Sequence, residues 1–196
     1  AVAMIVFQDT LLSLVASIQL TSQKLIRVGD WLEMPSYHAD GDVVDVALYN
    51  ITVQNWDKTY TVIPTNKLVS GAYKNWRGMT DSGGRRIKRS IHIDLTSIRL
   101  LSDAELARFS EFALLHDYIE SKQQDLQTYN AKLDSPGEGG INLRRLTNIG
   151  TFRAYIYNYL KNHPKIHTEM TLIVRQLDAG NDGVPTEIYA FCNDTD

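Results

Sequence analysis

The chain opens with twenty residues that are almost entirely apolar. They read AVAMIVFQDTLLSLVASIQL, and Asp9 is their only charged residue. Beyond Asp9 the large apolar residues recur with helical spacing, while serines and threonines collect nearer the other side. About 20 apolar residues in a helix are enough to cross the hydrocarbon core of a bilayer. The pattern predicts a membrane helix, with a buried helix of a soluble domain as the alternative.

A polar triplet, Gln8-Asp9-Thr10, interrupts this segment. Asp9 or Thr10 would be a good N-cap for a new helix, so we predict two helical pieces that meet at a kink near Gln8 and Asp9. Carboxylates inside a membrane usually face water or the interior of a helix bundle. We therefore expect Asp9 at a pore or at a helix junction. Lys24 and Arg27 follow the apolar segment and predict its cytoplasmic end.

From residue 28 to residue 78 the pattern changes to short alternations of period two, separated by turn residues. The predicted strands cover residues 31–34, 42–46, 49–56, 59–63 and 73–76. Asp57-Lys58 is a predicted tight turn, and Pro64 ends its strand because it has no backbone donor. Five short strands in about 50 residues predict a small closed barrel of the Sm or SH3 type.

The remainder of the chain, residues 79–196, mixes helical and strand patterns. We predict strands over residues 87–95, 170–177 and 186–192, and helices over residues 102–133 and 148–160. Ser102 or Asp103 would begin the first of these helices, whose apolar stripe comprises Leu106, Phe109, Phe112, Ala113 and Leu115. These elements indicate an α+β domain with a helical insertion at about residues 101–146. The basic residues 85–89 suit a solvated turn entering a strand, or a rim that attracts anions or acidic lipid.

Composition narrows the class of protein only slightly. The net charge of −3 argues mildly against a dedicated nucleic-acid binder, which usually carries a basic domain. Cys192 is the only cysteine, so it cannot form an internal disulfide and fits a reducing compartment. The chain begins without a methionine and stops just after a strand-like run, so we expect a fragment of a longer protein.

No recognised catalytic or cofactor motif appears in the sequence. It lacks a Walker loop, a dinucleotide fingerprint and a nucleophile elbow. His163 and His167 are four residues apart, as in some zinc sites, but Pro164 lies between them and no third ligand follows at usable spacing. We predict that the chain is not an enzyme and that it holds no metal and no cofactor.

Four short motifs, in order behind an apolar helix, resemble the small-conductance mechanosensitive channel (MscS) family. They are Phe7-Gln8-Asp9, Arg27-Val28-Gly29-Asp30-Trp31, Asp40-Gly41-Asp42-Val43 and Val62-Ile63-Pro64-Thr65-Asn66. Each motif is weak by itself, and their order and spacing make the resemblance specific. The long helical insertion after the barrel is most similar to the miniconductance, YbdG-type branch of bacterial members.

The resemblance implies a fold and a setting. Residues 1–27 would form a kinked, pore-lining transmembrane helix, residues 28–78 an Sm-like β-domain, and residues 79–196 a C-terminally incomplete α+β cytoplasmic domain. The whole would be a fragment of a multi-pass membrane protein in the bacterial inner membrane. Its partners would be membrane lipid and further copies of itself, seven in all by the resemblance. Such a channel opens under membrane tension and releases ions and small solutes in hypoosmotic shock.

The resemblance also implies roles for individual residues. By position, Ile5, and Ala1 one turn earlier, would form the seal of the pore, where a narrow apolar neck blocks ions by dewetting. Ile5 is the stronger candidate because Ala1 is smaller than the leucine usual at that place. Gln8 and Asp9 would lie at the hinge, where the family commonly has glycine.

Two other functions are compatible with the pattern. The barrel could be an Sm-like oligomeric binding module for RNA or protein, with the first helix as an oligomer contact. The negative net charge and the scarcity of paired aromatic and basic residues speak against RNA, so no nucleic-acid partner is expected. Alternatively, the chain could be a membrane scaffold with the same fold and no conducting pore.

Overall fold

A computed structural model describes residues 2–133, 137 and 140–194 of the chain. The chain divides into two compact units, Ala1–Ser82 and Gly83–Asp196. Among the described residues, the first unit contains three α-helices, α1 (Val2–Ser22), α2 (Thr65–Ser70) and α3 (Arg77–Asp81), and a five-stranded sheet.

The first helix is continuous across the segment where the sequence predicts a break. Gln8 and Asp9 lie inside α1, so one helix stands in place of the two predicted pieces. None of the helices among the described residues has the length and apolar character that crossing a membrane requires. The transmembrane assignment of residues 1–27 therefore stays a prediction.

The sheet of the first unit confirms the five predicted strands. They are β1 (Trp31–Met34), β2 (Ala39–Val46), β3 (Asn50–Asn55), β4 (Tyr60–Pro64) and β5 (Lys74–Asn75), in the order β4-β3-β2-β1-β5 with antiparallel neighbours. Gly41 lies where β2 crosses β3 so closely that any Cβ would overlap the Gln54 carbonyl. Only glycine permits this approach of the two backbones.

One core joins the first helix to this sheet. Its buried members are Leu20, Ile26, Leu32, Met34, Ala39, Val43, Ile51, Val53, Ile63 and Leu68. Leu20 comes from α1 and Leu68 from α2, and α1 packs mainly against α2, so both helices contribute to the core that the sheet covers. Burial of a leucine or isoleucine contributes about 1.5–3 kcal/mol, and the end of α1 is therefore an integral part of the β-domain.

The second unit is the predicted α+β domain. Its strands are β6 (Arg85–Ile93), β7 (Ile173–Gln176) and β8 (Val184–Cys192), which form an antiparallel sheet in the order β6-β8-β7. Its helices are α4 (Asp103–Ser110), α5 (His116–Asn130) and α6 (Asn148–Lys161). Leu115, Ile119 and Ala154 form a small apolar cluster between α5 and α6.

The predicted helix over residues 102–133 is two helices, α4 and α5. Ser102 is the N-cap as expected, and it forms a capping box with Glu105. The apolar stripe predicted to continue through Phe112 is wrong, because α4 ends at Ser110 and Phe112 lies in the connection with 46% of its surface exposed. The chain leaves α4 through tight turns. In one of them, the amide of Phe112 donates to the carbonyl of Phe109.

Candidate functional site at the end of the first helix

Helix α1 is inverted relative to a helix of a water-soluble domain: its buried face is small and polar, and its exposed face is large and apolar. The face packed inside the first unit carries small and hydroxyl side chains, namely Ser13, Ala16 and Ser17, with Leu20 after them. The opposite face carries Leu11, Leu12, Val15 and Ile18, each between 49% and 60% exposed. A helix on the surface of a water-soluble domain normally buries its large apolar residues. Small residues at the helix contact and large apolar residues outside are typical of helices packed in membranes.

The middle of α1 is tied to the end of the sheet by a buried hydrogen bond. The hydroxyl of Thr65 donates to the carbonyl of Ser13 across 2.9 Å, and Thr65 is completely buried. Thr65 begins α2 directly after β4, and its amide donates to the carbonyl of Tyr49. This bond therefore joins the backbone of α1 to the β-domain.

A second tie lies just beyond the end of α1, where three side chains form what we call the Asp30 latch: Asp30, Asn75 and Arg77. Asp30 is only 6% exposed. One carboxylate oxygen accepts from Nε of Arg77 at 2.7 Å. The other accepts from the Arg27 amide at 2.8 Å, from Nδ2 of Asn75 at 2.8 Å and from Nη2 of Arg77. A two-pronged arginine–carboxylate pair of this kind is stronger and more directional than a neutral hydrogen bond.

The latch also caps the carbonyls that follow α1. Nη1 of Arg77 donates to the carbonyl of Lys24 at 3.0 Å, and Nη2 donates to that of Leu25 at 3.2 Å. Nδ2 of Asn75 donates to the Leu25 carbonyl at 3.0 Å. These two carbonyls lie just beyond the last turn of α1, and a cation near the C-terminal end of a helix complements the helix dipole. Arg77 supplies both the donors and the charge.

Electrostatics keep the latch ionised. Burial by itself raises the pKa of Asp30, but the hydrogen bonds from Arg77, Asn75 and the Arg27 amide outweigh it, so the pKa lies below its ordinary value. The hydrogen bond with Asp30 raises the pKa of Arg77. Removing one member of a buried ion pair costs about 3–5 kcal/mol, because the other charge is left without a partner. The latch is thus a strong tie as long as all its members are present.

The three tryptophans of the chain form one cluster beside the latch. Trp31 follows Asp30, Trp76 precedes Arg77, and their rings stack with centroids 5.0 Å apart. Trp56 packs edge-on against Trp31 at 5.4 Å. The indole of Trp31 donates to Asp40 at 2.7 Å. Because no other tryptophan exists, the intrinsic tryptophan fluorescence of the chain reports on this neighbourhood alone.

Of the predicted site residues whose side chains the structure describes, only Lys24 and Arg27 lie at this site. Lys24 and Arg27 both reach the latch, Lys24 through its carbonyl and Arg27 through its amide. Gln8 lies in α1 with an exposed side chain. Ala1 lies outside the described residues, and so do the side chains of Ile5 and Asp9, although both positions belong to α1.

Asp30, Asn75 and Arg77 were not singled out as site residues from the sequence. Asp30 lies inside one of the quoted motifs, and the only local signal is a carboxylate directly before β1. Among the described residues, no group of three or more His, Cys, Asp or Glu side chains is arranged to hold a metal ion. The amide of His163 donates to the Leu160 carbonyl at the end of α6, whereas the amide of His167 donates to the carbonyl of Phe191 in β8.

A protein-family model matches this part of the chain. Residues 9–78 match the family described as "Mechanosensitive ion channel, beta-domain". The matched stretch contains most of α1, all five strands of the first sheet and every member of the Asp30 latch. It covers just over a third of the chain, so it concerns the β-domain and not the second unit.

Solved structures share the fold. The closed state of MscS from Helicobacter pylori is 16% identical with a TM-score of 0.53, over 97% of this chain and 54% of that chain. MSL1 from Arabidopsis thaliana is 11% identical with a TM-score of 0.51, over 97% of this chain and 50% of that chain. At these identities the likeness establishes the fold alone. The chain spans about half the length of these structures.

The comparisons support the coarse expectation from the sequence. The first unit has an MscS-like β-domain and is followed by an α+β unit, and the resemblance to the MscS family is supported over the β-domain. That family consists of channels and not of enzymes. Neither comparison distinguishes the YbdG-type branch.

Proposed function

We propose that this chain is part of a homo-oligomeric ion channel that membrane tension opens. The observation that carries the proposal is the inverted first helix, with small residues packed on a mechanosensitive-channel β-domain and large apolar residues exposed. A single copy leaves Leu11, Val15 and Ile18 exposed. In a symmetric ring each copy of α1 has two neighbours, and lipid covers what the neighbours leave exposed.

The finer assignments follow the family resemblance. Seven copies surround one pore in the bacterial inner membrane, and most of this fragment lies on the cytoplasmic side. The missing parts of a multi-pass protein supply the remaining membrane helices. The helical insertion that contains α4 and α5 favours the YbdG-type branch. Release of ions and small solutes during hypoosmotic shock is the corresponding physiological role.

The gate belongs to the first part of α1. Ile5, with Ala1 one turn earlier, lines an apolar neck that excludes water and ions when it is narrow. Gln8 and Asp9 provide the hinge, and Lys24 and Arg27 mark the boundary between membrane and cytoplasm. Tension multiplied by the in-plane area gained on opening lowers the free energy of the wider state. No ligand is required, because the mechanical work differs between the two states as a differential affinity would.

The test is electrical recording from the purified full-length protein in liposome patches under suction. We expect tension-activated currents, and replacing Ile5 with serine should hydrate the neck and lower the opening tension. D125N is a matched control, because the exposed Lys122–Asp125 pair lies on α5, outside the β-domain. Unchanged gating in I5S would remove Ile5 from the seal. Absence of current in the wild type would reject the channel and favour a scaffold.

A further inference from the structure

We propose that the Asp30 latch is a mechanical coupling element that makes the end of α1 and the β-domain move as one body. The inference rests on the proposed channel function. Its structural content is that α1 from Ser13 onward is clamped to the sheet, so that any bend of α1 on opening lies before Ser13. Gln8 and Asp9, the predicted hinge, lie in that earlier part of the helix.

The clamp has two points of attachment about a dozen residues apart in sequence, one inside α1 and one just beyond its end. The first is the buried bond from Thr65 to the Ser13 carbonyl. The second is the latch, in which Asn75 and Arg77 donate to the Lys24 and Leu25 carbonyls. A helix fixed at two points can neither slide along its axis nor pivot, because hydrogen bonds weaken steeply when their length or angle changes.

The packing between these points makes the latch necessary. Ser13, Ala16 and Ser17 have little apolar surface to bury, so the hydrophobic contribution along this stretch is small until Leu20. Small side chains let the helix lie close to its neighbours and also let it slip. The directional bonds at the two ends therefore decide whether α1 follows the β-domain.

The guanidinium of Arg77 is the member for which no other residue type substitutes. It contacts both oxygens of Asp30 and two successive backbone carbonyls at once, using Nε, Nη1 and Nη2. A lysine would keep the charge, but its single ammonium cannot span these acceptors. If only the charge of Arg77 mattered, R77K would behave like the wild type. If the planar guanidinium is required, R77K should lose the latch.

The structural arm of the test measures hydrogen exchange in the full-length protein in liposomes. In D30N and in R77Q, amides of residues 20–30 should exchange at least about tenfold faster, because the end of α1 opens locally. R77K should behave like R77Q, and the double variant D30N/R77Q should be no worse than either single variant, since the two residues act as a unit. D125N should match the wild type. Unchanged exchange in D30N and R77Q, with native tryptophan fluorescence, would overturn the latch.

The functional arm measures open probability against tension in the same variants. If the latch couples α1 to the β-domain, its loss reduces the area that moves with the helix, and the opening curve becomes shallower in D30N, R77Q and R77K. A purely structural role would speed exchange and leave the slope unchanged, which would overturn the coupling. A wild type without current would instead reject the proposed function, and the coupling with it, whatever the exchange experiment shows.

Discussion

Helices α1 and α4 are held in opposite ways. The N-terminus of α4 is satisfied by Ser102 and Glu105, three residues apart, in a capping box that also recruits the neighbouring Arg99. The Lys24 and Leu25 carbonyls, just beyond the C-terminus of α1, are satisfied by Asn75 and Arg77, about fifty residues later in the chain. The first helix therefore depends on the folding of the β-domain, whereas α4 carries its own boundary signal.

The same contrast holds for the faces of the helices. Helix α6 buries Ile149, Ala154 and Ile156 and follows the ordinary amphipathic pattern of a domain in water. Helix α1 buries serines and exposes Leu11, Val15 and Ile18. The difference is that α1 leaves its large apolar side chains outside its own unit, whereas α6 packs isoleucines into its unit.

The two faces of α1 give the largest predicted difference. Replacing Leu20 with alanine should destabilise the first unit by about 2–5 kcal/mol, because it leaves a cavity in the core that joins helix and sheet. Replacing Ile18 with alanine should change the free energy of unfolding by less than about 0.5 kcal/mol, because Ile18 is exposed in a single chain. Urea unfolding followed by tryptophan fluorescence measures both, since all three tryptophans belong to the first unit.

A comparable loss in both variants would contradict the inverted helix, because it would mean that Ile18 is packed inside the unit. Liposome-reconstituted protein supplies the complementary measurement. There the difference in destabilisation between the Leu20 and Ile18 variants should become smaller, since Ile18 would then contact lipid or a neighbouring copy.

Acid should weaken the attachment of α1 to the β-domain. The folded pKa of Asp30 lies below its ordinary value, so Asp30 binds protons more readily in the unfolded chain and its ionised form favours the fold. This stabilisation is complete above the ordinary pKa of about 3.9 and is lost as the pH falls through the folded pKa. The unfolding free energy of the first unit, followed by tryptophan fluorescence, should therefore fall below about pH 4.

The D30N variant sharpens this prediction. It removes the titrating group, so the unfolding free energy should fall less at acid pH; this fall is the acid limb of the stability curve. Asp57 is the relevant control in the same unit. Hydrogen bonds from Thr59 lower the pKa of Asp57, but the group is fully exposed, so D57N should leave most of the acid dependence in place. An acid limb that is identical in D30N and in the wild type would exclude the latch as its source.

Local patterns explain which parts of the molecule could be predicted. The alternation Trp31-Leu32-Glu33-Met34 gives β1 with its buried residues, and Ser102 followed by Glu105 gives the start of α4. Both signals lie within a few residues. The end of α4 at Ser110 was missed because the apolar spacing continues through Phe112 into the connection.

The latch could not be predicted for a different reason. Asp30 is 45 residues from Asn75 and 47 from Arg77 in sequence, and five contacts of the latch use backbone groups that no side-chain pattern reveals. Only the fold brings Asp30 next to Arg77, after β5 has paired with β1. The motif that contains Asp30 pointed to the family but gave no indication of the partner.

The smallest predicted effect concerns the self-capped helix. Replacing Ser102 with alanine removes the oxygen that accepts from the Glu105 amide and should lower the local stability of α4 by about 1 kcal/mol. Hydrogen exchange of the first-turn amides should then accelerate roughly fivefold, while the amides at the end of α1 are unaffected. S102T keeps the hydroxyl and should behave like the wild type. A change that spreads from α4 to residues 20–30 would mean that the two helices are not held independently, and the contrast between local and long-range attachment would fail.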